Sequence, residues 1–355
     1  MIQETSLIES HKKLNAKLVP FAGFNMPIQY SSVKNESIAV RKDAGIFDVS
    51  HMGEFFIEGT EAVKFIDYII TNDFLSAPVG KAVYSPLCRE NGTIIDDLIC
   101  YKLSNEKVLL CVNASNIDKD WEWISSNSKG FDCKLENSSN QISLIAIQGP
   151  NSANYLAQIN LLDQQTENSF YYYSVKEHNE FIIARTGYTG EDGFEIFGNH
   201  KSIQKIWNKL IELDITPCGL AARDVLRLEV GYPLYGNELH DKVTPYESGL
   251  KWCVKKDKQQ FIGKNSIINQ EPTLRLVKLS IEKGIPRQGY SVFDNNDKKI
   301  GIITSGTMSV TLGLGISMAH ITTEHPLNND YYIEIRNKKY LATRHSKPFY
   351  KGGHK

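Results

Sequence analysis

Apolar residues recur at offsets of three and four in 61-EAVKFIDYIITND-73. Ala62, Phe65, Ile66, Ile69 and Ile70 fall on one face there, which predicts an amphipathic helix. Ile203, Ile206, Trp207, Leu210 and Ile211 repeat that period in 201-KSIQKIWNKLIEL-213. Between these helices lie apolar runs of strand length: 94-IIDDLICYKL-103, 107-KVLLCVNA-114, 142-ISLIAIQG-149 and 180-EFIIAR-185. The polar stretch 256-KKDKQQFIGKNSIINQEPT-273 ends at a proline and reads as a connection. Beyond it the pattern is strand throughout: 274-LRLVKLSI-281, 289-GYSVFD-294, 300-IGIITSG-306 and 331-YYIEIRNKKYLATRH-345, the last as a hairpin around Asn337-Lys338-Lys339. Mixed helices and strands followed by strands alone predict an α+β chain closed by a small all-β domain.

The chain has 355 residues, enough for two or three domains with ample core. Its 40 basic and 41 acidic residues leave a formal charge of −1, with no long run of either sign. A nucleic-acid face or an anionic-membrane patch is therefore not expected. Cys88, Cys100, Cys111, Cys133, Cys218 and Cys253 form no Cys-x-x-Cys pair and have no helical histidine at ligand spacing. They read as reduced thiols, several of them buried in strands, and no metal site is expected. MIQETSLIESHKK lacks the features of a signal or transit peptide, and no apolar run approaches the ~18 residues of a membrane span. A soluble cytoplasmic protein is the expectation.

Three glycines, two aromatics and three acids crowd into 187-GYTGEDGFE-195. Tight turns account for Gly187, Gly190 and Gly193. The carboxylates argue against a phosphate cradle, and no Lys-Ser or Lys-Thr follows. The stretch is either a hairpin loop with a solvated acidic tip or a loop that brings Tyr188 and Glu195 to a planar ligand carrying N–H donors.

Asp96 and Asp97 are neighbours on a predicted strand, so their side chains point to opposite faces. Asp97 then shares a face with Ile99 and Tyr101, and Asp96 with Leu98 and Cys100. A turn with a solvated acid is the alternative. Arg223 and Arg227, four apart in 219-GLAARDVLRLEVG-231, project from one face if that segment is helical. They serve either an anionic ligand or a salt bridge with Asp224 or Glu229.

Seven stretches, in order and spacing, resemble one family: 21-FAGFNMPIQY-30, 39-AVRKDAGIFDVSHMGE-54, 91-NGTIIDDLICYK-102, 145-IAIQGP-150, 185-RTGYTGEDGFE-195, 218-CGLAARDVLRLEVGYPLYGNEL-239 and 304-TSGTMSVTLGLGI-316. The family is aminomethyltransferase, the T-protein of the glycine cleavage system. The resemblance runs from about residue 6 to the C-terminus. It implies a three-domain cloverleaf around a central folate channel. The expected domains are a discontinuous folate-binding α+β unit over 1–54 and 140–255, a second α+β unit over 55–139, and a jelly-roll-like all-β unit over 272–355. It also implies tetrahydrofolate as co-substrate and the lipoylated H-protein as partner. The one-carbon unit passes from the aminomethyl-loaded arm to folate, with release of ammonia and formation of 5,10-methylene-tetrahydrofolate.

The resemblance carries site residues with it. Glu195 corresponds to a pterin-binding glutamate, and one carboxylate can accept both an amino group and a ring N–H. Tyr188 supplies a flat wall. Asp97 corresponds to the catalytic acid beside a folate nitrogen, where a fixed carboxylate stabilises developing positive charge. Arg223 matches a ligand-binding arginine, whereas Arg227 reads as structural. Tyr84, Tyr101, Asn113 and Tyr232 resemble folate contacts, and Met52 is expected against the ligand ring. His51 is expected as a satisfied loop histidine, and Tyr350 or Lys351 is expected to reach the channel. Phe24 and Asn25 depart from the family's usual Trp and acid. The alternative is a non-transferase folate-binding protein of the same superfamily, of the iron–sulfur assembly type. Its Lys-Gly-Cys motif has no counterpart in 260-QFIGKNS-266.

Overall fold

The structure is a computed structural model that describes residues 2–162 and 170–353. Four sheets organise it. Strands Ala82–Cys88, Ile94–Lys102, Lys107–Val112, Gly53–Glu58 and Lys134–Asn137 form a five-stranded antiparallel sheet in that order. A six-stranded sheet runs Val175–His178, Phe181–Ala184, Gly193–Asn199, Ile142–Gln148, Gly45–Asp48 and Thr216–Pro217. A three-stranded sheet of Gln3–Glu4, Phe24–Gln29 and Lys17–Phe21 lies near the N-terminus.

The five-stranded sheet is buried on both faces, and the alternation of its residues sets which face is which. Leu98 and Cys100 join Phe65, Ile66 and Ile69 of the helix Ala62–Ile69 in one core. Tyr101, Leu109 and Cys111 turn the other way, into a core shared with Leu144, Ala146 and Phe197 of the six-stranded sheet. The two sheets thus pack face to face. The helix His200–Glu212 covers the far side of the six-stranded sheet through Ile203, Ile206, Trp207 and Leu210.

The C-terminal unit differs from the jelly roll that was expected. Leu274–Ile281 pairs with Gly315–Thr322 on one side and with Lys338–His345 on the other, which closes six strands into an antiparallel barrel. A jelly roll keeps two facing sheets; closure here removes the edges. The hairpin expected around Asn337-Lys338-Lys339 turns one residue earlier. Arg336 and Asn337 adopt φ of 50° and 61°, and Ile335 pairs with Lys338. That two-residue turn has the handedness that twisted strands require. The segment read as a connection over 256–273 contains a short helix, Lys264–Asn269.

The helix Leu220–Glu229 packs against Phe24–Gln29, Val33–Lys42 and the barrel strands Lys299–Met308 and Gly315–Thr322. Buried charges lock it there. The Glu229 carboxylate accepts from Arg41 Nη2 at 2.7 Å, from the Ser309 hydroxyl at 2.6 Å, and from both the amide and the hydroxyl of Thr311 at 2.9 Å. Arg227 donates to Glu238 at 3.0 Å and to the Ser305 hydroxyl at 2.7 Å. Removing one partner from a buried ion pair costs about 3–5 kcal/mol, because the other charge is left in low dielectric. Glu229→Ala is therefore expected to lower the urea unfolding midpoint by an amount of that order. A shift equivalent to less than ~0.5 kcal/mol, the usual size for a surface change, would remove Glu229 as the junction.

Candidate functional site

A cavity of about 1600 Å³ opens where the two sheets, the helix Leu220–Glu229 and the barrel meet. Pockets for single drug-sized ligands measure roughly 300–1,000 Å³, so the space is large enough for more than one reactant. Asp97, Tyr84, Asn113, Tyr188, Glu195, Arg223, Tyr232 and Met52 all line it. Tyr101 stands behind that lining, and its hydroxyl donates to Glu195 Oε2 at 3.4 Å.

The strand Ile94–Lys102 delivers Asp97. Asp97 lies opposite Pro86 in the register and points, with Ile99, into the cavity. Asp96 points the other way and is fully buried. The Tyr84 hydroxyl donates to Asp97 Oδ2 at 2.9 Å. The Asn113 side-chain amide donates to Asp97 Oδ1 at 2.9 Å and to Asp96 Oδ1 at 2.8 Å. Burial, and then the negative charge of Asp96, push the Asp97 pKa up to about 7; the donations from Tyr84 and Asn113 hold it from rising further. Burial and Asp97 likewise raise the Tyr84 phenol well above its ordinary range, so Tyr84 stays a donor.

Glu195 sits on the strand Gly193–Asn199, between Ala146 and Ala184 in the sheet. It is 7% exposed, with the Thr186 hydroxyl donating to Oε2 at 2.5 Å. The preceding loop reaches it by a turn with Gly190 at φ 84°. A Cβ at Gly193 would meet the Ile147 carbonyl oxygen at 2.6 Å, so this approach also demands glycine. Tyr188 lies against Tyr232 with ring centroids 5.9 Å apart, and its hydroxyl donates to the Pro233 carbonyl.

The two arginines separate. Arg227 is consumed by Asp224, Glu238, Ser305 and the Tyr232 carbonyl. Arg223 stands 4.8 Å over the Tyr188 ring, and its Nη1 is buried with no hydrogen-bond partner among the described residues. A buried guanidinium donor left unpaired is costly, and a carboxylate entering the cavity would satisfy it.

His51 is buried beside the cavity, edge-on to Phe21 and Phe24, with Nδ1 unpartnered among the described residues. Desolvation drives its pKa down to about 4, so it is neutral. The satisfied histidine that was expected is thus one hydrogen bond short. Tyr350 lies 4.1 Å from the Arg41 guanidinium, and neither it nor Lys351 lines the cavity. Sequence reasoning passed over Trp252, which stacks on Tyr84 at 5.9 Å and 17° at the cavity wall. It also passed over Thr186. Trp252 owes its position to a contact remote in the chain that no motif marks; Thr186 lies within 185-RTGYTGEDGFE-195, but its spacing does not single it out as the donor to Glu195. All six cysteines are free. Among the described residues no group of His, Cys, Asp or Glu could hold a metal, and no helix is long and apolar enough to cross a membrane.

Residues 7–258 match the family model described as GCVT N-terminal domain, and residues 275–351 match the glycine cleavage T-protein C-terminal barrel domain. The chain belongs to the glycine cleavage T-protein family of aminomethyltransferases. It is 50% identical to an aminomethyltransferase of Thermosipho melanesiensis, over 98% of this chain and 97% of that one. It is 44% identical to an aminomethyltransferase of Thermotoga maritima, over 99% and 98%. The crystal structure of glycine cleavage system aminomethyltransferase T from Bartonella henselae superposes with a TM-score of 0.94 at 32% identity, covering 100% of this chain and 99% of that one. The activity is that of an aminomethyltransferase of the glycine cleavage system, and the family uses tetrahydrofolate.

The geometry around Asp97 yields a direct test. Tyr84→Phe removes one donor to a carboxylate. A hydrogen bond to a charged group is worth about 1.5–3 kcal/mol, or roughly one to two pKa units. A carbon NMR titration of the Asp97 carboxyl should show a midpoint near 7 in the parent protein and at least about one unit higher in Tyr84→Phe. An unmoved midpoint would mean that the phenol does not stabilise the anion.

Proposed function

We propose that the cavity binds tetrahydrofolate with its pterin at Glu195 and Tyr188, its acidic tail at Arg223 and its reacting nitrogens beside Asp97. The one-carbon unit arrives on the lipoyl arm of the H-protein. The observation that carries this reading is the buried, unpartnered Arg223 Nη1, which shares one cavity with Asp97 and Glu195. An anionic tail answers the first, and ring N–H donors answer a carboxylate. The cavity has volume for a folate and the end of an arm together. On this reading the protein forms a cloverleaf whose central channel is this cavity, built by 1–54 with 140–255, by 55–139 and by the barrel unit within 272–355.

Each residue then has a task. The Glu195 carboxylate accepts N–H donors, and the Thr186 and Tyr101 hydroxyls hold it in place. Tyr188, Tyr232 and Met52 supply flat apolar contact and exclude water. Bound tetrahydrofolate supplies the nucleophilic nitrogens that accept the carbon unit. Asp97, fixed by Tyr84 and Asn113, faces the positive charge that develops as the carbon–sulfur bond breaks. Asp97 acts here as the anion. Because burial raises its pKa to about 7, the anionic fraction grows as pH increases, and kcat/KM should climb through neutrality.

Two substitutions test the assignment. Glu195→Gln keeps the shape and loses the charge. Calorimetry should show tetrahydrofolate affinity weakened on the order of tenfold or more, since about 1.5–3 kcal/mol rides on a charged hydrogen bond. Unchanged affinity would displace the pterin from this loop. Asp97→Asn is nearly isosteric and removes the charge. Formation of methylene-tetrahydrofolate from loaded H-protein should fall ~10²–10³-fold, with folate affinity and melting temperature near those of the parent. If turnover persists in Asp97→Asn, another group must stabilise the charge.

A further inference from the structure

Behind Asp97, away from the cavity, lies a second buried carboxyl group that the transfer chemistry leaves unused. Asp120 sits in the first turns of the helix Ile117–Asn127 and is fully buried. Among the described residues, neither of its oxygens meets an N–H or O–H donor. The helix packs on the strand Ile94–Lys102, which puts the Asp120 carboxyl within reach of the Asp96 carboxylate. Two carboxylates cannot hydrogen-bond to each other without a proton between them.

Asp96 is richly supplied with donors. Its Oδ1 accepts from Asn113 Nδ2 at 2.8 Å and from Asn116 Nδ2 at 2.6 Å, and its Oδ2 accepts from the Asn113 amide at 3.1 Å. It is the better hydrogen-bonded of the two carboxylates, which favours the proton on Asp120. We propose that Asp120 is a positioning residue: a carboxylic acid that donates to Asp96, keeps Asp96 anionic and thereby holds Asn113 and, through it, Asp97. This rests on the reading of Asp97 given above.

The charges around Asp120 agree. Burial, then the negative charge of Asp96, raise its pKa far above the carboxylate range, and Asp97 adds to the effect. The Lys119 ammonium opposes it. That ammonium, however, is drawn to the Ile95 carbonyl and the Tyr235 hydroxyl, both at 2.7 Å, and lies 3.9 Å from Asp241, which Arg89 also pairs. Donation from Asp120 is the largest influence that lowers the Asp96 pKa against its burial.

The sign of each perturbation follows. In Asp120→Leu the donor is lost, Asp96 takes up a proton, and Asp97 no longer faces a negative neighbour. The Asp97 titration midpoint and the acid limb of kcat/KM should both move down by about one unit. In Asp120→Asn the side-chain amide restores a neutral donor, so both should return to the parent position. Infrared difference spectra of the full-length protein, recorded above the Asp97 titration, should contain a deuterium-sensitive carboxylic acid band that Asp120→Asn abolishes. A missing band overturns the proposal. So does a downward shift in Asp120→Asn, which would mean that Asp120 had been an anion. An Asp120 band together with an unmoved Asp97 midpoint in Asp120→Leu would overturn the positioning role alone, with the Asp97 reading intact. The infrared and NMR arms do not depend on turnover, so failure of the catalytic reading remains separately visible. The Asn variant and the spectra decide the matter even if Asp120→Leu fails to fold.

Discussion

One side-chain amide, that of Asn113, gives a hydrogen bond to each of two adjacent carboxylates that face opposite sides of a strand. Two like charges at consecutive positions, both withdrawn from water, repel strongly. The bridge lowers that cost at both oxygens and fixes where each carboxylate points. Asp97 is thereby held toward the cavity with a pKa poised near neutrality. The same withdrawal from solvent makes a preorganised carboxylate effective against developing positive charge, since the surrounding dielectric is low and nothing need reorganise. On the proposed reading, the chemistry of the cavity depends on this arrangement.

The arrangement works only if the strand carrying Asp97 faces the strand carrying Glu195. Face-to-face packing of the two sheets achieves this, with the Tyr101 ring edge-on to Phe197 at 5.4 Å and its hydroxyl on Glu195. The third wall, the helix Leu220–Glu229, brings Arg223. It is held by buried ion pairs with Arg41 and Glu238 and by hydrogen bonds with the hydroxyls of Ser305 and Ser309, not by apolar packing alone. Buried ion pairs add little net stability compared with apolar residues, but they are strict about geometry. Sheets, helix and barrel that meet around one cavity have a use for such strictness.

How much of this was legible in the chain depended on the range of the interaction. The 3.6-residue period marked the helices Ala62–Ile69 and His200–Glu212, and alternation sent Asp97, Ile99 and Tyr101 to one face of their strand. Those are local consequences of backbone geometry. The barrel was less legible. Strand patterns are alike in a jelly roll and a closed barrel, and only the pairing of Leu274–Ile281 with Lys338–His345 decides between them. The hairpin turn was misplaced by one residue because Arg336 and Asn337 take positive φ without a glycine to signal it. Trp252 on Tyr84, Thr186 on Glu195 and Asp120 beside Asp96 left no local mark, since nothing in the spacing of those residues reports which side chain they meet.

The central claim is that one cavity holds the folate with its two carboxylates in separate roles. A crystal structure of the protein grown with tetrahydrofolate tests this most directly. The account predicts the pterin amino and ring N–H groups within hydrogen-bond distance of Glu195, the tail carboxylate on Arg223 Nη1, and Asp97 beside the nitrogens that accept the carbon unit. A folate bound elsewhere, or one seated in this cavity with its pterin on Asp97 and nothing on Glu195, would contradict it.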